Sequence, residues 1–157
     1  MNSEVKRLPN VFEYLDVFKF LQDYYHYRKE NQPGFSYEGW ASELGFQSRS
    51  YLRMVLLGKK KVSPSFVRKF SDAQNWSNPE ADYFSTLTDY SQSTRMAEKQ
   101  IYGQKLIRIL KIISDRLTIS ESIEFLSSPL HARLLVMLSF EDMITTSENL
   151  AKLLGTS

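Results

Sequence analysis

Residues 35–70, FSYEGWASELGFQSRSYLRMVLLGKKKVSPSFVRKF, carry the pattern that decides the fold. Ser36 is a good helix N-cap, because its hydroxyl accepts an N–H that the first turn of a helix leaves without a partner. After it, YEGWASEL places Trp40, Ala41 and Leu44 on one side of a short helix. Gly45 stops that helix, since glycine takes the left-handed conformation of a helix end without steric penalty, and Phe46 gives the turn an apolar anchor. Ser48 is placed to cap a second helix over residues 49–57, which Gly58 ends. The segment therefore reads as helix, tight turn, helix.

The second helix divides its residues between two faces. Tyr51, Leu52, Val55 and Leu56 are expected to pack inward, whereas Arg49, Ser50 and Arg53 fall in the first two turns, where a recognition helix directs side chains at base edges. Arginine can donate two hydrogen bonds to guanine, and serine serves a base or a phosphate. Lys59, Lys60 and Lys61 follow Gly58, and Ser63-Pro64 then supplies the N-cap and first-turn residues of a further helix. Residues 44–71 hold seven Lys or Arg and no Asp or Glu, in a chain whose net charge is +2, so the remaining residues carry −5. Such a local field suits phosphate binding, which draws its affinity from neutralised phosphates and released counterions. The competing reading is a solvated basic face on an ordinary helical bundle.

At these residues the chain resembles the lambda-repressor-like helix-turn-helix, whose members share a Leu-Gly, turn, helix, Gly-Lys-Arg run; here it stands as Leu44-Gly45 and then Gly58-Lys59-Lys60. More closely, VFEYLDVFKFLQDYY (11–25), PGFSYEGWASELGF (33–46) and SYLRMVLLGKKKVSP (50–64) resemble a bacterial family of uncharacterised regulators that pair this domain with a C-terminal domain of unknown function. The resemblance spans about residues 10–95. Together with cap spacing and apolar periodicity, the resemblance implies an all-α fold with a five-helix repressor-like helix-turn-helix bundle over residues 1–92; the smaller helical C-terminal region over residues 93–157 is read from periodicity. The resemblance also implies sequence-specific binding of double-stranded DNA and transcriptional control. The turn at Gln47-Ser48 is one residue longer than the repressor pattern, which moves the first base-contacting position by one residue. The expected DNA surface is Gln47, Ser48, Arg49, Ser50, Tyr51, Arg53, Lys59, Lys60, Lys61 and Arg68.

Elsewhere the first ten residues are polar and read as a loose arm. Between Val11 and Lys29 the recurrence of Val17, Phe18, Leu21, Tyr24 and Tyr25 predicts one helical face rich in aromatics. The cluster Tyr24, Tyr25, His26, Tyr27 reads as packing rather than as a ligand site. Residues 65–75 predict a helix with Phe66, Val67 and Phe70 inward and Arg68 and Lys69 outward, and Asn78-Pro79 opens another through Tyr83, Phe84, Leu87 and Tyr90. Residues 91–96 are polar and mark the candidate boundary, with no Gly/Pro-rich linker, so a continuous or nearly continuous helix is expected across it.

Residues 97–117 give the longest helical pattern, with Leu106, Ile109, Leu110, Ile113 and Leu117 on one face and Lys105, Arg108 and Lys111 opposite. Either the C-terminal helices or a second copy must cover so apolar a face. Leu106, Ile109, Leu110 and Ile113 are the candidate homodimer interface, since two-fold operators favour dimeric readers. Two more helices are expected over residues 120–126 and 129–140, with His131 structural or superficial. Residues 146–157 read as a capped terminal helix or the start of a winged-helix module.

The composition excludes several classes. With no Cys, disulfides, thiolate catalysis and cysteine-based zinc sites are absent, which suits a reducing compartment. The N-terminus lacks an apolar signal core and no apolar run reaches the roughly 20 residues of a membrane span, so a cytoplasmic protein is expected. No phosphate-binding loop, dinucleotide fingerprint, zincin pair or nucleophile elbow occurs, so neither an enzyme nor a cofactor is expected. A helical protein-interaction adaptor whose helix-turn-helix has lost DNA contact remains the alternative function.

Overall fold

Asn10 opens one turn of 3-10 helix, Val11–Glu13, by accepting the Phe12 N–H on its side chain at 3.1 Å. The chain then runs extended through Tyr14, and Asp16 starts α1, Val17–Asn31, with its carboxylate accepting from the N–H groups of Phe18 and Lys19. The apolar face that reads as continuous from Val11 is thus split, because an N-cap satisfies the first-turn donors only from an extended backbone of its own. This computed structural model describes residues 7–116, and every regular element among them is helical. Four more helices follow α1: α2 Tyr37–Glu43, α3 Arg49–Leu56, α4 Pro64–Ala73 and α5 Asn78–Gln92. After them comes α6, Met96–Arg116.

Three of these helices end alike. Gly45 (φ 67°) after α2, Gly58 (φ 69°) after α3 and Asn75 (φ 51°) after α4 take the left-handed conformation. The next N–H then reaches back into the last turn, Phe46 to Ala41 O at 2.7 Å, Lys59 to Met54 O at 2.9 Å and Trp76 to Ser71 O at 3.2 Å. Carbonyls that a helix end leaves unpaired are satisfied in this way, and the chain reverses within a few residues.

The core of the first unit is aromatic and centred on α4. The wholly buried Phe70 meets Phe20 and Tyr24 of α1, Trp40 of α2, Phe66, Trp76 and Phe84 of α5, with ring centroids 5.0 to 6.2 Å away. Most of these pairs meet edge to face or tilted, as ring quadrupoles prefer. Along α1 the buried side chains are Val17, Phe20, Leu21, Tyr24 and Tyr25, while Phe18, expected inward, is half-exposed. The start and finish of the unit are bonded together. Val17 N–H donates to Ser91 Oγ at 2.9 Å, and the buried Tyr83 hydroxyl donates to Tyr14 O at 2.8 Å. Burial raises the Tyr83 phenol far above its ordinary range, so it stays a neutral donor.

The chain divides into two compact units, the first ending at Ser91 and the second beginning at Gln92. Ser93, Thr94 and Arg95 separate α5 from α6, so the helix expected to be continuous or nearly continuous across the boundary is broken for three residues. Hydroxyl side chains compete with the helix for backbone groups, which favours a break there. Along α6 the buried positions are Gly103, Leu106, Ile107 and Leu110. Ile109 and Ile113 are half-exposed, and Met96, Ile101 and Ile112 are exposed. Of the four expected dimer-interface residues, Leu106 and Leu110 are therefore already covered within one chain. Leu117, His131, the two C-terminal helices, the terminal segment and most of the N-terminal arm lie outside the described residues.

Candidate nucleic-acid interface

Ser36 caps α2, accepting the Gly39 N–H at 3.1 Å, and α2 buries Trp40 and Ala41. The turn to α3 is held from outside the two helices. Lys69 of α4 donates from Nζ to Gly45 O at 2.8 Å and lies 4.4 Å from the centroid of the Phe46 ring, which stacks on Phe66 at 5.9 Å. Lys69, expected to point outward, is half-buried and committed to this structural role.

α3 then buries Leu52, Val55 and Leu56. Gln22 of α1 fixes its far end, donating to Leu56 O at 2.6 Å. Tyr51 is half-buried, and its hydroxyl is held at the α4 cap: it lies 3.1 Å from Ser63 Oγ and accepts the Ser63 N–H at 3.0 Å. Expected both to pack inward and to belong to the DNA surface, Tyr51 joins α3 to α4.

The other expected contacts are exposed: Gln47, Ser48, Arg49, Ser50 and Arg53 at and beyond the turn, then Lys59, Lys60, Lys61 and Arg68. Ser48 occupies the N-cap position, yet its side chain makes no capping bond, which corrects the expected role. Its hydroxyl is uncommitted to the cap. Lys59 and Lys60 both donate their backbone N–H to Met54 O, at 2.9 and 3.2 Å, and so begin the lysine run at the C-terminal end of α3. Cations are favoured there by the partial negative charge of the helix end.

Two carboxylates border this surface. Glu43 is gripped by Arg28, whose Nη1 and Nη2 donate to its two oxygens at 3.2 and 3.0 Å. Burial works against the charged Arg28 guanidinium, but the bonds to Glu43 and Tyr24 outweigh it and hold Arg28 above its ordinary value. Glu38 lies 3.4 Å from Arg49, with both side chains largely exposed. A shallow concavity of about 470 Å³ runs beside this pair, lined by Glu38, Ala41, Ser42, Gln47, Ser48 and Arg49 among others. Tyr37, which the sequence pattern left unassigned, stacks on Tyr25 at 4.2 Å. Burial and the neighbouring Tyr25 raise its phenol, while the Arg53 charge opposes the rise.

No family model, no curated protein and no solved structure matches the chain. Exposed guanidiniums and hydroxyls on the outer side of one helix, with lysines at its end, form a donor-rich surface suited to a polyanion with hydrogen-bond acceptors. Among the described residues no group of His, Cys, Asp or Glu is placed to hold a metal ion, and no helix is long and apolar enough to cross a membrane.

Proposed function

We propose that this chain is a sequence-specific DNA-binding transcriptional regulator, in keeping with the helix-turn-helix regulators it resembles, and that it reads duplex DNA with the outer face of α3. The observation that carries the reading is the pairing of geometry with charge. Arg49 and Ser50 are exposed in the first turn of α3 and Arg53 in its last, and Lys59, Lys60, Lys61 and Arg68 are exposed around it. The stretch bearing them, residues 44–71, contains no carboxylate. Base-edge donors and phosphate-neutralising cations are thereby gathered where a recognition helix would need both. Two copies acting together would supply the surface that specific affinities require.

With Lys69 committed to the turn, six of the seven cations remain for DNA. If about four to six phosphates are neutralised, log K for duplex binding falls against log salt with a slope near −4 to −5. Fluorescence anisotropy on a selected duplex across a salt series measures it. A flat response, or no binding to any library member at low salt, rejects the reading. The adaptor alternative has one observation in its favour: Glu38 beside Arg49 places a carboxylate at the edge of the same surface. A phosphate backbone would repel it.

A further inference from the structure

Leu57 is 53% exposed, and its position makes that exposure informative. Single exposed leucines are ordinary on protein surfaces. Leu57, however, is the C-cap residue of α3, with its N–H on Arg53 O at 3.0 Å, so it lies one turn beyond Arg53 on the same side of the helix. At about 100° per residue, Arg53 and Leu57 fall between Arg49 and Ser50 in projection, at the middle of the outward arc. The opposite arc holds the buried Leu52, Val55 and Leu56. Gly58, with φ 69°, follows at once and turns the chain into the lysine run. An isobutyl group therefore stands on the outward arc at the C-terminal end of α3, between Arg53 and the lysine run.

Phosphates and sugars offer such a group little, and it can neither give nor accept a hydrogen bond. The apolar feature of the major groove is the thymine 5-methyl group, which aliphatic side chains recognise by contact. The geometry points to Leu57 as a thymine-reading residue that fixes one position of the recognised sequence by burying that methyl. This inference rests on the proposed function, that α3 faces duplex DNA, and adds to it a base identity that the arginines and serines do not specify.

The test uses the full chain and its best duplex from a random library, with each thymine replaced in turn by deoxyuridine, which pairs identically but lacks the methyl. For the unmutated protein, one replacement per bound copy weakens binding about fourfold, the effect of one buried methyl-sized group. In Leu57→Ala the same replacement has no effect, whereas replacements elsewhere behave as before, and Leu57→Met keeps the sensitivity. Affinity for random DNA and the melting temperature are unchanged in both variants. Sensitivity at every thymine that is the same with and without Leu57 overturns the inference while leaving DNA binding intact. So does a drop in melting temperature accompanied by uniform weakening, which marks Leu57 as structural, and so does a preference for a protein partner lost in Leu57→Ala with no change on DNA. If no duplex binds at all, the functional reading falls and Leu57's role falls with it.

Discussion

Arg49 and Arg53 differ from Lys59, Lys60 and Lys61 in what a duplex would ask of them. A planar guanidinium can satisfy two acceptors of one base, while an ammonium on a flexible stem acts as a point charge. Arg49→Ala or Arg53→Ala is therefore expected to weaken the best site by about 1–3 kcal/mol and random DNA far less. Replacing any of the three lysines should weaken both by similar factors, as parallel titrations on selected and random duplexes would show. Equal losses from the arginine variants would move the base-reading residues elsewhere. At this scale the sequence was legible where a side chain acts on its near neighbours. Ser36 caps an N–H three positions on, and its role follows from its type. Lys69 reaches Gly45, 24 positions away, and Arg28 reaches Glu43, 15 away, so neither role can be read without the fold. The inward side of Tyr51 follows from its spacing, but its partner Ser63, the cap of the next helix, does not.

Helix ends are the local events that sequence specifies best. Gly45 and Gly58 mark the ends of α2 and α3 because their left-handed conformations exclude most other residues. Gly58 isolates that conformational effect, for a Cβ added to it would meet nothing within 4 Å. Gly58→Ala should cost about 1–2 kcal/mol, and Gly58→Asn less, since asparagine tolerates the left-handed region. Thermal melts of the two variants check this, and equal melting temperatures would show that the turn relaxes instead. Less legible was the start of α1. Its apolar spacing runs on from the preceding 3-10 turn, and only the Asp16 cap shows that the helix begins afresh. In α6 the difficulty was an excess of isoleucines. With apolar residues at 107, 109, 112 and 113, periodicity alone does not choose which side is covered, and the structure covers Ile107 while leaving Ile112 exposed.

For the whole molecule, two copies remain part of the proposal, and the exposure along α6 narrows where they would meet. Leu106 and Leu110 are buried in one chain, whereas Ile109 and Ile113 are partly accessible. Ile109→Glu or Ile113→Glu is expected to convert a dimer to a monomer in light scattering, with helicity retained by circular dichroism. A protein that is monomeric without the substitution, or that unfolds with it, rejects this interface. The all-helical architecture was legible from cap spacing and apolar periodicity, both of which are local. The closure of the first unit was not, because it depends on residues far apart in the chain. Val17 and Ser91 are 74 positions apart, and Tyr14 and Tyr83 are 69 apart. A ribosome makes the chain from the N-terminal end, so the first long helix must wait for the last residue of its own unit before its leading amide finds this partner. Until then the caps of α2 and α3 can already form from neighbouring residues. The surface proposed to meet DNA thus rests on contacts of two ranges, helix ends that close on their near neighbours and supports such as Lys69 on Gly45 that need the later helices.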